Sequence, residues 1–114
     1  MARSNESAAM AWTLLLVAGL LEVVWAYTMK LSHGFTRPGA SGATIAAMIA
    51  SFALLSISMR TLPLGTAYTV WTGVGAVGSF LVGIAALGEP VNVVRLAAAL
   101  LIVSGIVLMK VSAS

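Results

Sequence analysis

Of the three acidic residues in this chain, one stands in an unexpected place. Glu22 lies in the stretch GLLEVVWAYTMK, inside a run from Met10 to Met29 that carries no other charge. An acid at the middle of a membrane-spanning helix costs about 2.5–3.5 kcal/mol on insertion scales, so such residues face a bundle interior or a wet cavity. Helical spacing puts Ala18, Gly19, Trp25 and Ala26 on the face of Glu22. The small residues leave room beside the carboxylate, and Trp25 adds an aromatic plane and an N–H donor one turn along. Carboxylate plus aromatic face suits an organic cation, through ion pairing with the acid and cation–π contact with the ring. The plainer use of Glu22 is as interhelical glue, a protonated carboxyl bonding a neighbouring helix.

Matching parts lie further along the chain. Tyr68 and Trp71 are three residues apart and share a helix face, with the hydroxyls of Thr69 and Thr72 nearby. Near a helix end, Tyr and Trp also serve as an interfacial aromatic belt. Ser51 falls near the middle of its own apolar run, where a hydroxyl wants a partner. Its i−4 carbonyl, that of Ala47, is the local choice, and Glu22 is the functional one. A proton and a cation competing for the Glu22 carboxylate would be sufficient to couple a proton gradient to cation export. No cofactor, nucleotide or metal is needed for that. His33 is a loop histidine without partners for a metal site, and no nucleophile–base pair points to an enzyme. The match GVGAVG at 73–78 lacks the preceding strand of a dinucleotide fold. It reads instead as packing and bending. Gly75, Ser79 and Gly83 form a stripe that permits close helix approach, and Gly73, Gly75 and Gly78 lower the cost of a kink that would serve as a hinge.

The elements that must position these residues follow from composition. The chain is 61% hydrophobic and only 8% charged, against about 45–50% and roughly 25% for soluble domains, which places it in the membrane class. Apolar runs at Met10–Met29, Ala40–Met59, Leu64–Leu87 and Val91–Met109 each approach the ~20 residues that a helix needs to span a bilayer. They are too long and too evenly apolar for barrel strands. The expectation is an all-α integral membrane protein, with one four-helix transmembrane domain over residues 10–112. The intervening segments KLSHGFTRPG, RTLP and GEP hold the Gly and Pro breakers, and they leave no space for a soluble domain. Residues 1–9 read as a disordered extension rather than a cleaved leader, because the apolar run behind them is too long for one and contains Glu22. The scattered basic residues form no patch for nucleic acid.

Orientation in a membrane follows the Lys and Arg of short loops. Arg3, Arg60 and Lys110 fall on one side, and Lys30, Arg37 and Arg95 on the other. The tie suggests a chain that inserts both ways and pairs as an antiparallel, dual-topology homodimer, the two-chain counterpart of the inverted repeats in larger transporters. Four helices with one acid barely enclose a cavity; two chains would, and would supply two Glu22 carboxylates. Ala97, Leu101, Ser104, Gly105 and Leu108 lie along one stripe of the last helix, a candidate dimer contact. Arg95 opens that helix and snorkels, while Lys110 favours its C-terminal dipole.

From about Met10 to Lys110 the chain resembles the small multidrug resistance transporters, on the strength of four short helices, the lone acid in the first, and AYTVWTGVGAVGS in the third. GLLEVVWA, TLPLGTAY and GEP look like the guanidinium-exporter subtype; the quaternary-ammonium subtype typically has a small residue where Trp25 stands. The resemblance implies a multi-pass protein of a prokaryotic cell membrane, a dual-topology homodimer that exchanges protons for guanidinium-like cations. It implies that Glu22 binds proton and substrate. Ser51, Trp25, Tyr68 and Trp71 would line the site and hydrogen-bond around the carboxylates, with Gly19 adjoining. The N-terminal extension departs from the family pattern. The runner-up functions are a broad quaternary-ammonium exporter, one half of a heteromeric transporter, and a membrane scaffold held together by Glu22.

Overall fold

A computed structural model describes the backbone of residues 2–113 and the side chains of residues 7–112. The chain forms four α-helices, α1 (Ala2–Leu31), α2 (Pro38–Ser58), α3 (Leu64–Leu87) and α4 (Val93–Ala113). Their apolar portions, Ser7–Leu31, Pro38–Ser58, Leu64–Leu87 and Val93–Ser112, run 20 to 25 residues. At about 1.5 Å of rise per residue, 20 residues match a hydrocarbon core of about 30 Å. All four are therefore long and apolar enough to cross a membrane.

The helix ends follow local chemistry. Pro38 begins α2, where its missing N–H is no loss. Between α1 and α2 the chain turns through three successive left-handed residues, His33, Gly34 and Phe35. Ser32 steadies that turn by donating to the Met29 carbonyl at 2.7 Å and accepting from the Phe35 N–H at 3.0 Å. Gly88 closes α3 with φ 67°, a conformation that glycine adopts at little cost. The last helix starts two residues later than the apolar run. Pro90 and Val91 are irregular, and the Asn92 carboxamide caps α4 by accepting the Arg95 N–H at 2.9 Å.

One expectation differs at the start of the chain. Residues 2–9 continue α1 rather than forming an irregular extension. Ala2, Ala8 and Ala9 favour helix, and adding turns to a helix already nucleated by the membrane span costs far less than starting one.

Packing is uneven. The buried core is small and joins the first three helices: Ala11, Leu15 and Ala18 of α1, Leu55 of α2, Leu62 before α3, and Ala67, Val70 and Trp71 of α3. The Thr28 and Thr44 hydroxyls add a 2.7 Å hydrogen bond between α1 and α2. The fourth helix leans on α3, and its end reaches α1 through Lys110, whose Nζ sits 4.8 Å from the centre of the Trp12 ring. Elsewhere α4 is open: Leu100, Leu101 and Leu108 are each about two-thirds exposed or more. The molecule is 18 Å deep in its thinnest direction, two helix diameters at most.

Candidate functional site

The site is assembled from three helices that meet at Ser51. The Ser51 hydroxyl, on α2, is fully buried and donates to the Ala18 carbonyl of α1 at 2.7 Å. The Trp71 indole N–H, on α3, donates to the same Ser51 oxygen at 3.0 Å. A short polar relay thus ties α3 to α2 to α1 one turn before Glu22. Neither sequence-based expectation for Ser51 holds, because the rotation of α2 turns the hydroxyl away from Ala47 and onto α1. This relay positions the site without touching the carboxylate.

Ser51→Ala should therefore cost about 1–2 kcal/mol, more than the ~0.6 kcal/mol of an average interhelical bond in a membrane protein, because it strands a buried indole N–H. Trp71→Phe in the same background should recover part of the loss, since both partners are then gone. Reversible unfolding in mixed micelles measures both, and additive losses would refute the relay.

Glu22 packs against α3 at Gly75. A Cβ on Gly75 would collide with the Glu22 carboxylate, so only glycine leaves the acid a seat there. Glu22 Oε1 is buried and has no hydrogen-bond partner among the described residues; the same is true of Trp25 Nε1. One turn apart on α1 there are thus an unused acceptor and an unused donor. Buried polar groups in folded proteins are nearly always paired, and leaving one unmade costs about 1–3 kcal/mol.

Around them runs a row of rings. Trp25 and Phe52 meet edge to face with centroids 6.4 Å apart, Phe52 and Trp71 at 5.7 Å, and Trp71 and Tyr68 at 5.6 Å. Trp25, Trp71 and Tyr68 were expected at the site from sequence; Phe52 was not. It bridges the two tryptophans from α2, and the available signal was its place beside Ser51 in the middle of that helix. Tyr68 is half exposed. Among the described residues, neither Ser51, Tyr68 nor Trp71 hydrogen-bonds Glu22 within one chain.

The glycines sort by what occupies the space a side chain would take. At Gly19 a Cβ would meet the Val74 side chain at 2.7 Å, so this residue allows α1 and α3 to close together rather than lining open space. Gly73 receives Ile106 of α4 at 2.8 Å, and Gly78 receives the end of Val23. Gly83 lies against the Glu89 carboxylate, while Ser79 lines a cavity between α1 and α3. The third helix runs unbroken from Leu64 to Leu87 across all of them.

Glu22 is thus an acid without a hydrogen-bond partner among the described residues, seated on glycine inside a membrane-spanning helix. Comparison with known proteins shows the family. Residues 10–103 match the family described as Small Multidrug Resistance protein. Over 103 residues, covering 90% of this chain and 98% of each relative, the sequence is 59% identical to proteins named guanidinium exporter from Citrobacter freundii and Klebsiella oxytoca. It is 55% identical, with the same coverage, to the guanidinium exporter of Escherichia coli K12. The chain is a multi-pass membrane protein of the small multidrug resistance family.

Proposed function

We propose that the protein exports guanidinium and small related cations in exchange for protons across a bacterial cell membrane. The observation that carries this reading is the buried, unpartnered pair of Glu22 Oε1 and Trp25 Nε1 on one face of α1. Guanidinium is planar and weakly hydrated, and its N–H donors form a fixed fork that matches a carboxylate. The row from Trp25 to Tyr68 supplies π faces for the same cation. The names of the relatives support this substrate class.

A proton and the cation use the same carboxylate in turn. Binding of the cation releases the proton, and protonation of Glu22 expels the cation. Exchange then requires only that the loaded and protonated forms open to opposite sides in alternating access. One chain leaves Tyr68 half exposed and most of the large apolar side chains of α4 exposed. A second copy in the opposite orientation would bring two Glu22 residues to one cavity and cover Tyr68, with the Leu101–Leu108 stripe of α4 at the contact. The even distribution of Lys and Arg between the two sides fits such an antiparallel pair. Gly73, Gly75 and Gly78 remain candidates for the bend that alternating access demands.

Liposomes reconstituted with the protein and loaded with guanidinium test the reading. An opposing proton gradient should drive guanidinium efflux, with protons counted in the other direction. Movement of tetraalkylammonium ions but not guanidinium would replace the substrate assignment with a broad drug exporter. Transport only in the presence of a second gene product would indicate one half of a heteromer. No transport of any cation would leave a scaffold.

A further inference from the structure

Among the described side chains, the mechanism above leaves one carboxylate unused, that of Glu89. Gly88 turns the chain back on α3, so that the Glu89 N–H donates to the Gly83 carbonyl at 3.0 Å. The Glu89 side chain follows the same direction. A Cβ on Gly83 would collide with its carboxylate. Glu89 is solvent-accessible as a residue, yet its acid lies along the last turns of α3 instead of pointing away from the protein.

That acid is one wall of a cavity of about 200 Å³ where α1 and α3 end; Tyr27 and Lys30 of α1 and Ser79 of α3 are its other polar side chains, and Val23, Ala26, Val82 and Leu87 make the rest apolar. The final carbonyls of both helices add partial negative charge at this end. Hydroxyls, carbonyls and a carboxylate accept hydrogen bonds; Lys30 is the one cation in the lining. The cavity therefore suits a small cation rich in N–H donors. A quaternary ammonium ion, with no N–H, satisfies none of these acceptors.

Position along the helices connects the cavity to Glu22. Glu22, Ala26 and Lys30 recur at intervals of four on α1, facing Gly75, Ser79 and Gly83 at the same interval on α3. Glu22 seats at Gly75, while Ala26, Lys30, Ser79 and Gly83 line the cavity. Eight residues of helix separate the two carboxylate seats on α3, about 12 Å.

We propose that this cavity is a second, outer binding site for guanidinium-type cations, held by Glu89 about two helical turns from Glu22 along the α1–α3 contact. The ligand's identity rests on the export activity proposed above; the site rests on the seating of Glu89 against Gly83. Lys30 lines the same cavity and, among the described residues, makes no ion pair with Glu89, so the carboxylate is free to take the ligand.

Full-length protein in lipid nanodiscs, carrying Glu22→Gln to silence the inner site, tests this directly by NMR titration with guanidinium. The backbone amides of Gly83, Gly88 and Glu89 should shift in a saturable, millimolar titration. Adding Glu89→Gln should abolish those shifts, Gly83→Ala should weaken them, and tetramethylammonium should produce none. In protein with Glu22 intact, Glu89→Gln should raise the KM for guanidinium about three- to tenfold, the size expected of one partly exposed charged contact, and added salt should shrink the difference. The absence of shifts at the cavity, or shifts that survive Glu89→Gln, would overturn the site. If the cavity titrates but wild-type protein moves no guanidinium, the export reading fails and the outer site stands.

Discussion

Glu22→Gln should abolish proton-coupled transport and lower guanidinium affinity by about two orders of magnitude. Gln keeps the length of the side chain and its seat at Gly75, so α1 and α3 should pack as before. What it removes is the charge. A hydrogen bond to a charged group contributes about 1.5–3 kcal/mol, and each 1.4 kcal/mol is about tenfold in affinity. Coupling should disappear altogether, because an amide does not exchange a proton for a cation. Two further readouts separate this from damage to the fold. In wild-type protein, guanidinium binding should weaken as the pH falls, because a proton on Glu22 removes the charge that attracts the cation. Binding to the Gln variant should be flat across the same range. Thermal stability of the variant should be unchanged or raised, since a buried acid without a partner stabilises nothing. Coupled transport by the Gln variant would remove Glu22 from the mechanism.

Several parts of this arrangement were legible in the sequence for physical reasons. A run of twenty apolar residues has few options, so all four spans emerge from composition and from the positions of Gly and Pro. Glu22 was equally visible, because one acid in such a run is costly enough to require an explanation. Contacts between helices were harder to read. They depend on rotation and register, which an evenly apolar helix does not encode in any strong periodicity. Ser51 illustrates the point: its depth in the membrane was readable, but its partner on α1 was not. Phe52 was hidden by ordinariness, since a phenylalanine in an apolar helix carries no signal of its own. Glu89 was hidden by its neighbours. In GEP, the flanking Gly and Pro read as punctuation, and the way Gly88 folds the acid back against Gly83 exists only in three dimensions. In the sequence the stripe of Gly75, Ser79 and Gly83 reads as a packing surface. At both of its glycines, the structure places a carboxylate.

That last difference leads to the second large effect. Gly75→Ala should reduce transport at least tenfold, while Gly78→Ala should have a modest effect. Alanine favours helix over glycine by about 1 kcal/mol, so neither change should unwind α3. At Gly75 the added methyl occupies the place of the Glu22 carboxylate. The acid must then leave its seat, or α1 must move away from α3 and stretch the relay from Trp71 through Ser51 to Ala18. At Gly78 the methyl meets the Val23 side chain and not the acid; Val23 is stiff in a helix, so the change costs packing but leaves Glu22 in its seat. A pure hinge role for the glycines makes a different forecast. Both alanine variants would then bind guanidinium as wild type does and transport it slowly, because stiffening a bend affects the change of conformation and not the site. The two roles are separated by measuring affinity and transport rate together. Loss of affinity in Gly75→Ala, with Gly78→Ala near wild type in both measures, identifies Gly75 as the seat of the acid. Normal affinity with equally slowed transport in both variants would make α3 a hinge first, and would require that Glu22 functions from some position other than the one it occupies here.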